Sequence, residues 1–242
     1  MQQASEVTAQ RLRENWSRTV DDVAQACTAA GRDPSQVHIV GVSKYVGAEL
    51  AWQLAAAGCT ILAENRPQSL WDKASYFGQH NSVTAQWHLI GHLQRNKLKR
   101  TLPLISLLHS LDSLRLAEAI NAERLAVTTT PLPVLLEVNV TRDAAKTGVS
   151  LDEVHELLQQ APRWPGITIC GLMAMSSLDA DSARAQREFE QVRLLRDELQ
   201  QEYGQQFQFT ELSMGMSGDF KEAIAAGSTL VRIGSNLWRG II

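Results

Sequence analysis

The sequence predicts one α/β domain, a single (β/α)₈ TIM barrel with an extra N-terminal helix. Three observations lead there. The chain has 242 residues, 44% hydrophobic and 20% charged, the size and balance of one such barrel. Eight short apolar runs each stand one amphipathic segment away from the next. The runs are rich in Val, Ile and Leu and alternate little, as parallel strands covered on both faces do. A doubly wound sheet is the runner-up, weakened because no G-x-G-x-x-G follows the first strand.

Residues 4–30 read as a helix with Val7, Leu12, Trp16, Val20 and Val23 on one face, ended by Gly31 and Pro34. Strands are then expected at 37–43, 60–63, 86–91, 105–109, 133–140, 167–172, 208–213 and 229–234. Helices are expected between them at 47–58, 67–78, 95–103, 113–127, 150–161, 181–203 and 218–226. "TTTPLP" at 128–133 reads as a loop, because the same rhythm continues on both sides of it, so residues 1–242 form one domain.

A net charge of −3 argues against nucleic-acid and membrane-surface binding. The basic run "RNKLKR" at 95–100 reads as the solvated face of a short helix. Cys27, Cys59 and Cys170 are dispersed and odd in number, which suits reduced thiols rather than disulfides or a zinc site, and Cys170 reads as core. Glu6, Arg11, Arg13 and Glu14 interrupt the first twenty residues, and no apolar run reaches the roughly 20 residues that span a bilayer. The expectation is a cytoplasmic protein, self-sufficient as a monomer in core burial.

In such a barrel, chemistry belongs at the C-terminal strand ends. Reading them off gives Ser43-Lys44, Glu64-Asn65, Gly91-His92 and His109 to Asp112. Asn139 leads into Lys146-Thr147-Gly148, and then come Met173 to Ser176, Ser213 to Ser217, and Arg232 to Ser235. Polar groups therefore gather at one mouth. The loops "SMGMSGD" and "RIGSN" follow strands seven and eight, where such barrels often hold phosphate, and a helix from near Gly218 would aim its N-terminus there. Lys44 closes an apolar strand. Removal from water and a nearby cation such as Arg232 would favour its neutral amine, which attacks aldehydes. The bland alternatives are a solvated Lys44, tight-turn roles for Gly215 and Gly234, core roles for Met173 and Met175, and Asn65 as a helix N-cap.

The segments "HIVGVSKYV", "AENRPQSLWDK", "WHLIGHLQRNK", "VLLEVNVTRDAAKTGV", "GLMAM" and "ELSMGMSGDFKEAIAAGSTLVRIGSNLWRG" resemble, in order, the motifs of the pyridoxal-phosphate homeostasis proteins. These are single-domain relatives of the alanine racemase barrel, and the resemblance covers about residues 35–240. It implies that Lys44 carries pyridoxal 5′-phosphate (PLP) as an internal aldimine. It further implies that Ser213, Gly234 and Ser235 hold the phosphate and that Arg232 faces the pyridine nitrogen. Asn65 and Met173 match the family's second-strand asparagine and ring-contacting methionine, and Lys146 a lysine implicated in handling the cofactor. The chain departs from the family at Ala63 and Arg66, where glycine and tyrosine are usual, and at Val46, where many members have a second lysine.

The same resemblance leans towards a carrier that buffers PLP or delivers it to apoenzymes. An arginine can only donate to the pyridine nitrogen, which leaves a poorer electron sink than a protonated ring. Racemases that share the arginine add a tyrosine from a second domain, and this chain ends eight residues after Gly234. The alternatives are a weak amino-acid racemase and a PLP-independent barrel for another phosphate-bearing ligand.

Overall fold

The computed structural model describes residues 2–140 and 147–242. Eight parallel strands close into a barrel in chain order: β1 (His38–Val42), β2 (Ile61–Glu64), β3 (Gln86–Leu89), β4 (Leu107–Leu111), β5 (Leu132–Glu137), β6 (Ile167–Met173), β7 (Glu211–Met216) and β8 (Leu230–Ile233). Helix α1 (Gln2–Ala29) precedes them. The others are α2 (Ala48–Ala56), α3 (Pro67–Gln79), α4 (Leu98–Thr101), α5 (Leu114–Leu125), α6 (Leu151–Gln160), α7 (Ser182–Tyr203) and α8 (Phe220–Ala225). Among the described residues no helix is long and apolar enough to cross a membrane.

Local chemistry sets the helix starts. Ser113 accepts from the Leu116 N–H, Ser150 and Glu153 form a capping box, and Asp181 accepts from the Arg184 N–H. Pro67 opens α3, where its missing N–H has no cost. Arg66, not Asn65, is the N-cap there, and no side chain caps it. The basic run is solvated as expected: Arg95, Lys99 and Arg100 are exposed, with the Arg100 guanidinium 4.2 Å from the Trp71 ring centroid.

Apolar packing falls into two bodies. Between strands and helices lies the main core, including Leu54, Leu62, Leu70, Leu108, Phe189 and Trp238. Inside the barrel Val40, Ala63, Leu107, Leu135, Met173 and Leu230 pack together. The buried stripe of α1 is Leu12, Asn15, Thr19, Val23 and Cys27, whereas Val7 and Val20 are exposed. Asn15 Nδ2 donates to the carbonyls of Leu237 and Arg239, both at 3.0 Å. The extra helix thus pins the turn that follows β8.

Two boundaries differ from expectation in ways that move site residues. Strand β1 ends at Val42, and Lys44 and Tyr45 occupy a turn closed by the Val46 N–H on the Ser43 carbonyl at 3.0 Å. Strand β7 starts at Glu211, three residues later than expected. Phe209 is instead buried beneath α7, its N–H held by Gln200 Oε1 at 2.9 Å. The glycine that reads as a turn lies inside the strand. Gly215 has φ +85, and a Cβ there would stand 2.5 Å from the Ala223 Cβ.

Candidate functional site at the C-terminal mouth

Parallel closure brings the strand ends read from the sequence to one mouth. Lys44 is exposed there, its ammonium 4.9 Å from the Tyr45 ring centroid. The expected removal of this amine from water is therefore not met, because the strand stops two residues short of it. The buried lysine is another one. Lys73 of α3, 3% exposed, donates to the Ser43 carbonyl at 2.7 Å and pairs with the fully buried Glu64. Ser43 Oγ donates to the same Glu64 oxygen at 2.7 Å, and Glu64 Oε2 is buried with no partner among the described residues. This triad fixes the base of the turn that presents Lys44.

Asn65 is half-buried at the end of β2. The β3 loop presses on it so closely that a Cβ on Gly91 would stand 2.2 Å from its carbonyl oxygen. Since Arg66 is the cap, the Asn65 side chain is not spent on helix capping. Met173, 2% exposed, ends β6 and belongs to the barrel-interior cluster.

Arg232 is 4% exposed inside the barrel. Its Nη1 donates to Ser213 O and Ser213 Oγ, each at 2.7 Å, and its Nη2 to Ala174 O at 3.0 Å. Burial pulls this guanidinium down to about 10, partly opposed by Asp219 and Glu137, so it is charged at neutral pH. Its direct acceptors are carbonyls and a hydroxyl, and part of its five-donor fork is left over. Glu137 ends β5 with the Thr147 hydroxyl donating to it, and burial pushes its carboxyl up.

Ser213 does not lie in the loop after strand seven. It is fully buried within β7, taken up by Arg232 and by His109 Nδ1 at 2.8 Å. The hydroxyl at the glycine loop is Ser217, which accepts from the Gly234 N–H at 3.0 Å. Beside it Asp219 accepts from the Met216 N–H and from Ser176 Oγ, both at 2.6 Å. Helix α8 begins at Phe220, two residues later than expected and only six residues long, with Asp219 immediately before it. Ser235 is exposed, and Trp238 Nε1 donates to the Val42 carbonyl at 2.9 Å, tying this turn to the end of β1. Lys146 lies outside the described residues.

Sequence reasoning passed over Lys73 and His88, and it placed Ser217 and His109 at strand ends without giving either a role; both histidines are buried in the barrel. His109 Nε2 and His88 Nδ1 stand 2.9 Å apart, and burial holds His109 well below its ordinary value and His88 at about 4. A histidine in the middle of an apolar strand was the available signal. Cys170, expected in the core, is only half-buried and borders a cavity at the other mouth.

The donor set suits a small group with a phosphate at one end and an aldehyde at the other. An exposed primary amine, a buried guanidinium with no direct carboxylate partner among the described residues, and a hydroxyl paired to a glycine N–H share one mouth. An oxyanion can take both members of that last pair. Known proteins agree. The family model described as "Alanine racemase, N-terminal domain" matches residues 7–240. The chain is 35% identical over 225 residues to the pyridoxal phosphate homeostasis protein of Aquifex aeolicus, covering 93% of this chain and 96% of that one. It is 33% identical over 228 residues to the protein of the same name from Vibrio cholerae, covering 94% and 95%. PipY of Synechococcus elongatus, solved with PLP bound, superposes with a TM-score of 0.78 at 31% identity over 89% of this chain and 99% of PipY. By these measures the chain belongs to the alanine racemase N-terminal-domain family and, within it, to the pyridoxal phosphate homeostasis proteins.

Proposed function

We propose that this protein binds PLP at the C-terminal mouth and holds it covalently on Lys44 for buffering or delivery, without strong catalysis. When bound, PLP supplies an aldehyde that condenses with a primary amine and a pyridine ring that withdraws electrons. Lys44 offers the amine from a turn anchored by Lys73. Arg232 presents N–H donors to the ring nitrogen and cannot protonate it. Asn65 and Met173 border the ring. Ser217, Gly234 and Ser235 hold the phosphate, while Ser213 acts one step back by fixing Arg232. Lys146 is proposed to assist in handling the cofactor.

Arg232 is held by Ser213 O, Ser213 Oγ and Ala174 O, with no acid among its direct partners in the described residues, which disfavours chemistry that needs a protonated ring. Racemases share such an arginine, so the tyrosines carry the carrier reading against a racemase. Tyr76 stacks on His80 and Tyr203 hydrogen-bonds His155, both among the helices, and Tyr45 adjoins Lys44 itself. None of the three is set apart from the lysine across the mouth as a second base. PLP-dependent apoenzymes are the proposed acceptors, and a cytoplasmic monomer the proposed form.

The test is the visible spectrum with added PLP, borohydride reduction and peptide mapping. A yellow protein whose adduct maps to Lys44, and is lost in a folded Lys44→Ala variant, is expected. An adduct that persists in Lys44→Ala refutes the attachment site. Rapid exchange of an amino acid α-hydrogen for deuterium would replace the carrier by a racemase.

A further inference from the structure

Opposite Lys44, at the N-terminal mouth, a cavity of about 530 Å³ opens among His38, Ile61, Gln86, His88, Cys170 and Glu211. Its volume lies in the range of small-molecule sites. A file of polar side chains runs from it through the apolar barrel interior to Arg232. Each link is short: Arg232 Nη1 to Ser213 Oγ 2.7 Å, Ser213 Oγ to His109 Nδ1 2.8 Å, and His109 Nε2 to His88 Nδ1 2.9 Å.

The file has a direction. Arginine can only donate, so Ser213 Oγ accepts from it. Among the described residues the one acceptor recorded for the proton of Ser213 is His109 Nδ1. His109 then carries its own proton on Nε2 and donates to His88 Nδ1. That leaves the proton of His88 on Nε2, at the cavity. Reversing the file would strand the Ser213 proton in a fully buried strand, which is the costlier arrangement. His88 is 4% exposed, borders the cavity, and its Nε2 has no acceptor among the described residues. The same lining holds one carboxylate, Glu211, steadied by the Thr229 hydroxyl at 2.6 Å.

We propose that this cavity is a second small-molecule site, that it takes a free α-amino acid with its carboxylate on His88 and its ammonium on Glu211, and that the file through His109 and Ser213 reports its occupancy to Arg232. A buried donor and a single carboxylate in one pocket match the two ends of a zwitterion, and neither end alone would suit both groups. An acceptor placed on His88 Nε2 strengthens each bond behind it, because chained hydrogen bonds polarise one another. The site itself is independent of the PLP reading, and only the report to Arg232 rests on it.

The experiment uses ¹⁵N-labelled protein without cofactor and follows the histidine ring nitrogens by NMR while L-alanine is added. His88 and His109 are both expected as Nε2–H tautomers. The His88 signal should shift saturably, and Glu211→Gln should weaken that binding tenfold or more. In the borohydride-reduced PLP adduct, which cannot react with amino acids, L-alanine should change the pyridoxyl fluorescence. His109→Phe should abolish the change, and His109→Gln, which keeps an acceptor and a donor, should restore it. A proton on His109 Nδ1 overturns the file, and a His88 signal unmoved by millimolar L-alanine overturns the site. Failure to form any adduct would refute the proposed function while the His88 titration still decides the cavity.

Discussion

Replacing Lys73 by methionine tests whether the buried triad supports the turn that carries Lys44. The substitution conserves much of the volume but removes the donor to the Ser43 carbonyl and the partner of Glu64. Glu64 is fully buried, and its Oε2 already has no partner among the described residues. The remaining carboxylate would keep only the Ser43 hydroxyl. Breaking a buried ion pair from one side costs about 3–5 kcal/mol. In a chain of this size that lowers the thermal midpoint by about 10 °C. Removing both charges, as Lys73→Met with Glu64→Leu, should recover at least half of the loss, because a paired apolar replacement leaves no uncompensated charge. Urea and thermal unfolding followed by circular dichroism read both variants. Slower borohydride-trapped PLP labelling at Lys44 is expected in the single variant, since the Ser43 carbonyl that closes its turn loses an anchor. A single variant within about 1 kcal/mol of the parent would refute the reasoning, as would a double variant no better than the single.

Three more outcomes are expected. Ser217→Ala removes the hydroxyl beside the Gly234 N–H and should weaken PLP binding by about 1.5–3 kcal/mol, roughly 10- to 150-fold in Kd by fluorescence titration, with little change in unfolding. Burial raises the folded value of Glu137 above its ordinary 4.5, so its ionisation weakens the fold as pH rises above 4.5. Glu137→Gln should therefore gain stability over the parent at neutral pH, and the difference should vanish below pH 4.5. His88 runs the other way: its folded value, about 4, lies below the ordinary 6.5, so the unfolded chain binds a proton that the folded chain refuses. Stability should fall by about 3 kcal/mol as pH drops from 6.5 to 4, and His88→Phe should flatten that limb of the pH–stability curve.

The barrel was legible because its signal is coarse. Apolar runs and amphipathic segments at a regular spacing survive errors of a few residues, and they place every strand end at one mouth. What failed was finer than that spacing. Strand seven was expected to end at Ser213, so "MGM" read as loop and the pairing of Ser217 with Gly234 was not seen, because the sequence does not show that Gly215 tolerates φ +85 inside a strand. Reading β3 as uniformly apolar and His109 as the polar end of β4 missed the inward positions of both His88 and His109, which strand periodicity separates from Trp87 and Leu108 on the outer face. Lys44 shows the deeper limit. A lysine closing an apolar strand raises the question of how a charge is tolerated in a buried setting, and the sequence assigns that burden to Lys44 itself. The fold divides it between two residues. Lys73, which reads as an ordinary residue of an amphipathic helix, carries the buried charge against Glu64 and holds the Ser43 carbonyl. Lys44 is left exposed on the turn above, its amine in no ion pair with the described residues. For the proposed attachment of an aldehyde at Lys44 this placement is favourable, since each exchange would otherwise break an interaction the fold depends on.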